Sequence, residues 1–134
     1  MSEEYAFSVR TRVAFSDTDA QGVVYYGRYN PYFDLARAEW LRSLGLLHCG
    51  GADAEFVMRA NDVEYFAPAR FDDELEIHVR ALFGRTSMTF DFAAFKVPEE
   101  TLLVTAHQTL VFIDRATRQP IPIPDYYREQ FGVG

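Results

Sequence analysis

The sequence predicts an α+β protein in which one long helix packs against an antiparallel sheet of about five strands. One segment has a helical period of apolar residues, whereas the segments before and after it alternate between apolar and polar residues. The strand-like segments are joined by short turns, which suit antiparallel neighbours and not parallel ones. One helix packed on such a sheet forms an α+β layer architecture.

Residues 7–16 begin the predicted sheet, because apolar and polar side chains alternate along them. The residues expected on one face are Phe7, Val9, Thr11, Val13 and Phe15. The period becomes helical from about Tyr29 to Leu44. Pro31 lies in the first turn of this helix, where its missing N–H is harmless, and Gly45 is suited to end the helix.

Four further strands are predicted after the helix. They cover residues 55–66, 75–83, 86–97 and 101–113, and the connections contain the turn-forming sequences APAR, GR and PEE. The proline-rich stretch DRATRQPIPIP then leaves the sheet, and one weak terminal segment follows it.

Length and composition limit the functional classes. The 134 residues are expected to form a single domain spanning residues 1–134, and a hydrophobic fraction of 49% is typical of a folded protein. The net charge of −7 argues against nucleic acid and anionic membranes as partners, although a local basic patch could bind a polyanionic small ligand. The sequence has no signal-peptide pattern, no membrane-spanning apolar run and one cysteine, Cys49, which together predict a cytoplasmic protein.

The stretch SDTDAQGVVYYGRYN, which joins the first strand to the helix, concentrates the reactive side chains. Asp17 and Asp19 occupy the first and third positions of a possible calcium loop, but the twelfth position, which requires Glu, is Arg28. This cation excludes the calcium interpretation. The two carboxylates point the same way if the strand alternation continues, and they could then form a coupled acid–base pair; alternatively, one of them is structural and binds loop amides.

The remaining reactive side chains predict no metal site and no serine or cysteine nucleophile. His48, His78 and His107 lie on three different elements without a paired ligand motif, and His78 is expected to be solvated on the polar face of its strand. No Gly-x-Ser-x-Gly elbow is present. Cys49 directly follows a histidine, which rarely gives a nucleophile and its base a productive geometry, so it is expected to be a free thiol after the helix.

Four blocks of the chain, covering about residues 8–124, carry a family resemblance. The blocks FSDTDAQGVVYYGRYNPYFDLAR, VEYFAPARFDDELEI, GRTSMTF and HQTLVFIDRATRQPIPIP resemble the hotdog-fold acyl-CoA thioesterases of the 4-hydroxybenzoyl-CoA thioesterase family. The resemblance implies a hotdog fold, in which a curved sheet wraps a long helix. It also implies hydrolysis of acyl-CoA to free CoA and a carboxylic acid without metal or cofactor, in homodimers or homotetramers with sites at the dimer interface.

The same resemblance assigns roles to individual residues. Asp19 is expected to be the catalytic carboxylate, and the backbone N–H of Tyr26 is expected to polarise the thioester carbonyl. Independently of the resemblance, the missing side chains of Gly22 and Gly27 are expected to leave this backbone open to the substrate. The hairpin residues Arg85, Thr86 and Ser87 could bind a phosphate or pantetheine group, or they could form an ordinary turn.

Two other functions remain possible from the sequence. The first is a hotdog hydratase or dehydratase, although the differently placed Asp/His motif of those enzymes is not found. The second is a non-catalytic module that binds acyl thioesters, which the presence of Asp19 disfavours. The acyl group is left open, and the acidic composition argues mildly against acyl carrier protein as the carrier.

Overall fold

The computed structural model describes residues 5–47 and 54–133, which form a five-stranded antiparallel sheet with a long helix on one face. The elements in chain order are β1 (Phe7–Arg12), α1 (Tyr29–Ser43), β2 (Ala54–Tyr65), β3 (Glu74–Phe83), β4 (Ser87–Lys96), β5 (Thr101–Asp114) and α2 (Asp125–Gln130). The strand order is β1-β3-β4-β5-β2, so β1 and β2 form the two edges. This arrangement confirms the predicted α+β class.

Helix α1 forms because its apolar side chains recur every three or four residues and can all face the sheet. The buried residues of the helix are Tyr29, Tyr32, Phe33, Ala36 and Trp40. Phe33 lies 5.0 Å, ring centre to ring centre, from Phe92 of β4, and Trp40 lies 6.3 Å from Phe90 of the same strand. The helix therefore covers the apolar face of the sheet, as the periodicity predicts.

The end of α1 confirms the role expected of Gly45. Gly45 has φ +73°, a left-handed conformation that glycine adopts without steric cost. Its N–H donates to the Arg42 carbonyl at 3.1 Å, and the Leu46 N–H donates to the Leu41 carbonyl at 2.8 Å. These two hydrogen bonds form a Schellman motif, which satisfies the last helical carbonyls.

Strand β1 is shorter than the predicted strand over residues 7–16. It ends at Arg12, and residues Phe15–Asp17 form a 3₁₀ turn instead. Phe15 is therefore 75% exposed, not buried in the sheet as the alternation predicted. The strand ends early because the next backbone groups bond elsewhere: the Val13 N–H donates to the Asp73 carbonyl at 3.0 Å.

Short helix α2 is a second difference, because the sequence predicted only a weak terminal segment. Tyr127 of α2 is buried, and its ring lies 5.4 Å from Phe56 and 5.3 Å from Phe112. The helix has six residues, too few for a periodic signal to stand out from the surrounding prolines. Tertiary packing of one tyrosine therefore stabilises this turn of helix.

His78 lies on the sheet face opposite α1, and its environment differs from the solvated one that the sequence predicts. His78 is 6% exposed instead of solvated, because it lies between the rings of Tyr5 and Phe95, and its Nε2 is 2.7 Å from Glu76 Oε1. His107 on β5 is half exposed, with its Nδ1 2.5 Å from the buried Asp91 carboxylate. His48 and Cys49 lie outside the described residues. Within residues 5–47 and 54–133, no helix is long and apolar enough to cross a membrane.

Candidate functional site

A cavity of about 450 Å³ lies between the loop that precedes α1 and the segment that follows β2. This volume is within the range of small-molecule sites. The lining residues are Gln21, Val23, Val24, Tyr26, Tyr29, Tyr65, Phe66, Ala67, Pro68 and Arg70. Two distant parts of the chain therefore form the two walls.

Backbone hydrogen bonds hold the two walls together. The Val24 N–H donates to the Ala69 carbonyl at 2.9 Å, and Val23 forms an isolated antiparallel bridge with Arg70. The hydroxyl of Tyr65 donates to the Tyr26 carbonyl at 3.2 Å. The cavity is thus bounded by backbone that is fixed on both sides.

Three tyrosines form the aromatic part of the lining. The ring of Tyr65 lies 5.1 Å from that of Tyr26 and 5.8 Å from that of Tyr29. Tyr29 is buried, and this burial raises the pKa of its phenol. Tyr26 is exposed at the opposite side of the ring cluster. Such a surface combines apolar contact area with hydroxyl groups, which suits an organic ligand with a few polar atoms.

Asp19 lies in a tight turn whose next residues enter the cavity wall. Its backbone N–H donates to the Val23 carbonyl at 2.9 Å, and its carbonyl accepts from the Gly22 N–H at 3.0 Å. The side-chain Oδ1 accepts from the Gln21 N–H at 2.8 Å, which is an Asx-turn. Asp19 itself is exposed and is not among the lining residues, although Gln21 and Val23 are.

Gly22 has a conformational reason to be glycine in this turn. Its φ is +80°, and a β-carbon built there meets no atom within 4 Å. An L side chain is therefore disfavoured by backbone strain and not by lack of space. Gly27 differs, because its φ is ordinary and its β-carbon would make only a normal 3.5 Å contact with the Tyr25 ring.

Asp17 has different partners from Asp19, because the chain turns instead of continuing as a strand. The Asp17 carboxylate accepts from Arg28 Nε at 3.0 Å and from the Tyr32 hydroxyl at 2.5 Å. Its side chain is only 13% exposed. Burial and this hydrogen bond both raise the pKa of the Tyr32 phenol. Asp17 thus ties the loop to the first turns of α1.

The backbone amides of Tyr26 and Gly27 lie in the turn that leads into helix α1. A 3₁₀ turn over Tyr26–Arg28 leads directly into α1, and the Arg28 N–H donates to the Tyr25 carbonyl at 2.9 Å. Among the described residues, neither the Tyr26 nor the Gly27 N–H has a hydrogen-bond acceptor. First-turn amides without partners carry a partial positive charge that favours an anion.

Arg85 and Thr86 lie in the connection from β3 to β4, and Ser87 begins β4, at the other end of the sheet. Ser87 pairs with Val111 of β5, whereas Tyr65 beside the cavity pairs with Val104 of β5. Seven residues of strand separate these positions, or about 23 Å at 3.3 Å per residue. Within one chain, these three residues therefore do not meet Asp19 or Tyr26.

Sequence reasoning missed several of the lining residues. Tyr65 and Phe66 directly precede the APAR turn and Arg70 is its last residue, whereas the sequence pattern indicates only the end of a strand there. The sequence does carry a signal for this wall of the cavity. Two consecutive aromatic residues, Tyr65 and Phe66, stand at the end of a strand, where most turns begin with polar residues. Among residues 5–47 and 54–133, no group of three or more His, Cys, Asp or Glu side chains is arranged to hold a metal ion.

Comparisons of the sequence with a family model and with known proteins all indicate the same family. The family model of the thioesterase-like superfamily matches residues 13–131. The acyl-CoA thioester hydrolase YbgC of Escherichia coli O157:H7 is 38% identical over 116 residues, covering 84% of this chain and 86% of that protein. A putative esterase of Aquifex aeolicus is 39% identical over 93 residues, covering 67% of this chain and 73% of that protein.

Solved structures give the same fold. Slr0204, a 1,4-dihydroxy-2-naphthoyl-CoA thioesterase from Synechocystis, superposes with a TM-score of 0.86 at 23% identity, covering 94% of this chain and 95% of that one. The hypothetical protein AQ1494 from Aquifex aeolicus superposes with a TM-score of 0.85 at 31% identity, covering 94% and 99%. The hotdog fold expected from the sequence blocks is therefore confirmed.

Proposed function

Because this chain belongs to the thioesterase-like superfamily, we propose that it hydrolyses acyl-CoA thioesters to free CoA and a carboxylic acid. The observation that carries the proposal is the position of the Asp19 turn and the Tyr26 amide beside one aromatic cavity. The similarity to an acyl-CoA thioester hydrolase over 84% of the chain supports the same reaction.

In the proposed mechanism, the thioester carbonyl oxygen binds at the Tyr26 N–H. Attack on the carbonyl carbon moves negative charge onto this oxygen. An amide without another acceptor, at the start of a helix, stabilises that charge more than it stabilises the neutral carbonyl. The Tyr26 side chain takes no part in this step, since the donor is its backbone.

Asp19 is proposed to start the reaction through its carboxylate. As a general base, it takes a proton from a water molecule while the water oxygen bonds to the carbonyl carbon; the C–S bond then breaks, and CoA leaves as the thiolate. As a nucleophile, the carboxylate itself bonds to that carbon and expels the thiolate, and water then hydrolyses the resulting anhydride. One carboxylate oxygen accepts from the Gln21 N–H, which fixes the side-chain orientation.

Substitution of Asp19 tests this mechanism directly. Asp19→Asn keeps the size of the side chain and an oxygen for the Gln21 N–H, but its neutral amide can neither take a proton from water nor attack the thioester to form the anhydride. We expect kcat to fall by roughly two to four orders of magnitude. Hydrolysis is followed by detecting the free thiol of CoA with a panel of acyl-CoA substrates. An Asp19→Asn enzyme with wild-type activity would refute the mechanism.

The substrate panel also separates the other functions. A binding module would bind acyl-CoA without releasing thiol, and a hydratase or dehydratase would change the acyl chain while leaving the thioester intact. Thiol release that depends on Asp19 distinguishes a hydrolase from both. The panel also identifies the preferred acyl group and, with acyl carrier protein as an added substrate, the preferred carrier.

We further propose a homodimer or homotetramer. Strand β2 is a twelve-residue edge strand, and its outer edge pairs with no other strand of residues 5–47 and 54–133, so another chain can add there. The hairpin of Arg85, Thr86 and Ser87 is far from Asp19 in its own chain, so its predicted contact with CoA requires a second subunit. A cytoplasmic location also remains a prediction from the composition.

A further inference from the structure

We propose that Arg70 forms an anion-binding subsite of the cavity, which binds a phosphate or carboxylate oxyanion of the substrate. This inference rests on the proposed thioesterase function and adds a specificity-determining residue to it. The oxyanion has two possible sources, because the phosphates of CoA and a carboxylate on the acyl group share the same chemistry. A guanidinium binds either group with two parallel hydrogen bonds.

The charge of the cavity lining singles out Arg70. The other lining residues are Gln21, Val23, Val24, Tyr26, Tyr29, Tyr65, Phe66, Ala67 and Pro68, none of which is ionised at neutral pH. Arg70 is therefore the one charged side chain of this lining, and it brings positive charge into a cavity of a chain whose net charge is −7.

The guanidinium of Arg70 is also free, unlike most arginines of this chain. The arginines that pair with carboxylates are Arg10, Arg28, Arg37, Arg42, Arg80, Arg115 and Arg118. Among the described residues, the side chain of Arg70 has no hydrogen-bond or ion-pair partner. Its five N–H donors are consequently available to a ligand.

The backbone holds Arg70 in place although its side chain is free. Its N–H donates to Asp73 Oδ2 at 2.8 Å, and the residue is bridged to Val23 in the opposite wall. Val23 in turn accepts from the Asp19 N–H. Arg70 is thus connected to the Asp19 turn through a single residue, Val23.

Three substrates distinguish the two sources of the oxyanion. Butyryl-CoA carries phosphates and a neutral acyl group, butyryl-pantetheine carries neither charge, and glutaryl-pantetheine carries only the acyl carboxylate. Each is hydrolysed by wild type, Arg70→Gln and Arg70→Lys. Loss of a charge-assisted hydrogen bond should lower kcat/KM by about tenfold or more, mainly through KM.

The substrate that loses activity identifies the anion. If Arg70 binds phosphate, Arg70→Gln impairs butyryl-CoA alone; if it binds the acyl carboxylate, it impairs glutaryl-pantetheine alone. Arg70→Lys should retain part of the activity, since it keeps the charge but not the planar fork. Arg42→Gln is the matched control, because Arg42 is exposed near the end of α1, lies outside the cavity and should leave all three rates unchanged.

Equal kinetics of wild type and Arg70→Gln with all three substrates would overturn the proposal. Titration calorimetry with CoA and with glutarate gives a readout that does not depend on hydrolysis. If wild type hydrolyses none of the thioesters, the proposed function fails, and the calorimetry still decides the subsite: weaker binding of either anion to Arg70→Gln supports it, and equal binding refutes it. Circular dichroism verifies that the exposed substitution leaves the fold intact.

Discussion

Asp17 and Asp19 are two positions apart, yet the structure gives them different environments. Asp17 is largely buried and bonded to Arg28 and Tyr32, whereas Asp19 is exposed in a tight turn and bonded to its neighbouring amide. The Asp17 carboxylate, with two strong partners, stabilises the loop. The Asp19 carboxylate uses one oxygen for the Gln21 N–H, and its other oxygen can react with a ligand in the adjacent cavity. The alternative of a coupled acid–base pair loses its basis, because it required the strand alternation to continue past Val13.

Substitutions of Asp17 and Tyr32 should therefore affect stability more than chemistry. Tyr32→Phe removes a hydrogen bond to a carboxylate that is only 13% exposed, which should lower the free energy of unfolding by about 1.5–3 kcal/mol. Asp17→Asn should destabilise by a similar amount and lower kcat by less than tenfold, far less than Asp19→Asn. Thermal unfolding and thiol release measure the two effects. Tyr25→Phe is the control, because Tyr25 is exposed and should lose no stability.

The Tyr32 hydrogen bond also predicts a dependence of stability on alkaline pH. Burial and Asp17 raise the pKa of Tyr32 above its ordinary value of 10.0, so folding favours the protonated phenol. The stabilisation is complete below the unfolded pKa of about 10 and declines as the pH rises above it. The stability difference between wild type and Tyr32→Phe should thus be constant from pH 7 to 9 and shrink above pH 10. A difference that grows above pH 10 would contradict this assignment.

The loop between β1 and α1 shows how one element presents both reactive groups. It begins with a 3₁₀ turn at Phe15–Asp17, reverses at Gly22 and ends in a second 3₁₀ turn at Tyr26–Arg28. Asp17 fastens it to the helix, and Val23 and Val24 fasten it to the segment after β2. The loop is consequently anchored to the scaffold on both sides although it has little regular secondary structure, and a scaffold that positions a loop in this way is typical of reactive sites.

The substitutions Gly22→Ala and Gly27→Ala distinguish two effects: backbone strain at Gly22, and obstruction by a Gly27 side chain of the path by which the thioester carbonyl approaches the Tyr26 N–H. Gly22→Ala places a β-carbon at φ +80°, which should destabilise by about 1–2 kcal/mol and displace the Asp19 turn, lowering kcat. Gly27→Ala meets only an ordinary contact and should leave stability unchanged. If the thioester approaches the Tyr26 N–H closely, Gly27→Ala should still raise KM. Melting temperatures and steady-state kinetics of both variants test this; a stable, fully active Gly22→Ala enzyme would disprove the strain.

In the described part of the chain, the sheet ends in two edge strands, and these differ in length. Strand β1 has six residues, and β2 has twelve with a bulge between Met58 and Ala60. A long unpaired edge is the usual place for another chain to add. The distance of about 23 Å along β5 from Val104, beside the cavity, to Val111, beside the hairpin, points to the same need, because one chain cannot bring its hairpin to its own cavity.

We expect at least two chains per particle at micromolar concentration, measured by light scattering or sedimentation. If a second subunit completes the site, specific activity should fall when the protein is diluted below the dissociation constant of the dimer. Arg85→Gln should then raise KM for acyl-CoA while leaving hydrolysis of an acyl-pantetheine unchanged. A monomer with constant specific activity would contradict the shared site.

The sequence by itself determined features that depend on local hydrogen bonding and periodicity. The bounds of α1, its end at Gly45 and the four strands after it follow from residue patterns over a few turns or strands. The sequence also located the turn that carries Asp19, since a dense run of carboxylates and glycines interrupts the strand. The assignment of chemistry to Asp19 over Asp17 came from the family resemblance and not from these patterns.

The tertiary structure alone decided which distant residues meet. The strand order puts β1 beside β3 and β2 at the opposite edge, which no local pattern encodes. The cavity exists because Val23 pairs with Arg70 and Val24 with Ala69, contacts between segments far apart in the chain. The exposure of Phe15 and the burial of His78 have the same origin. Side-chain alternation predicts which face a residue takes, whereas the neighbours that cover that face are set by long-range packing.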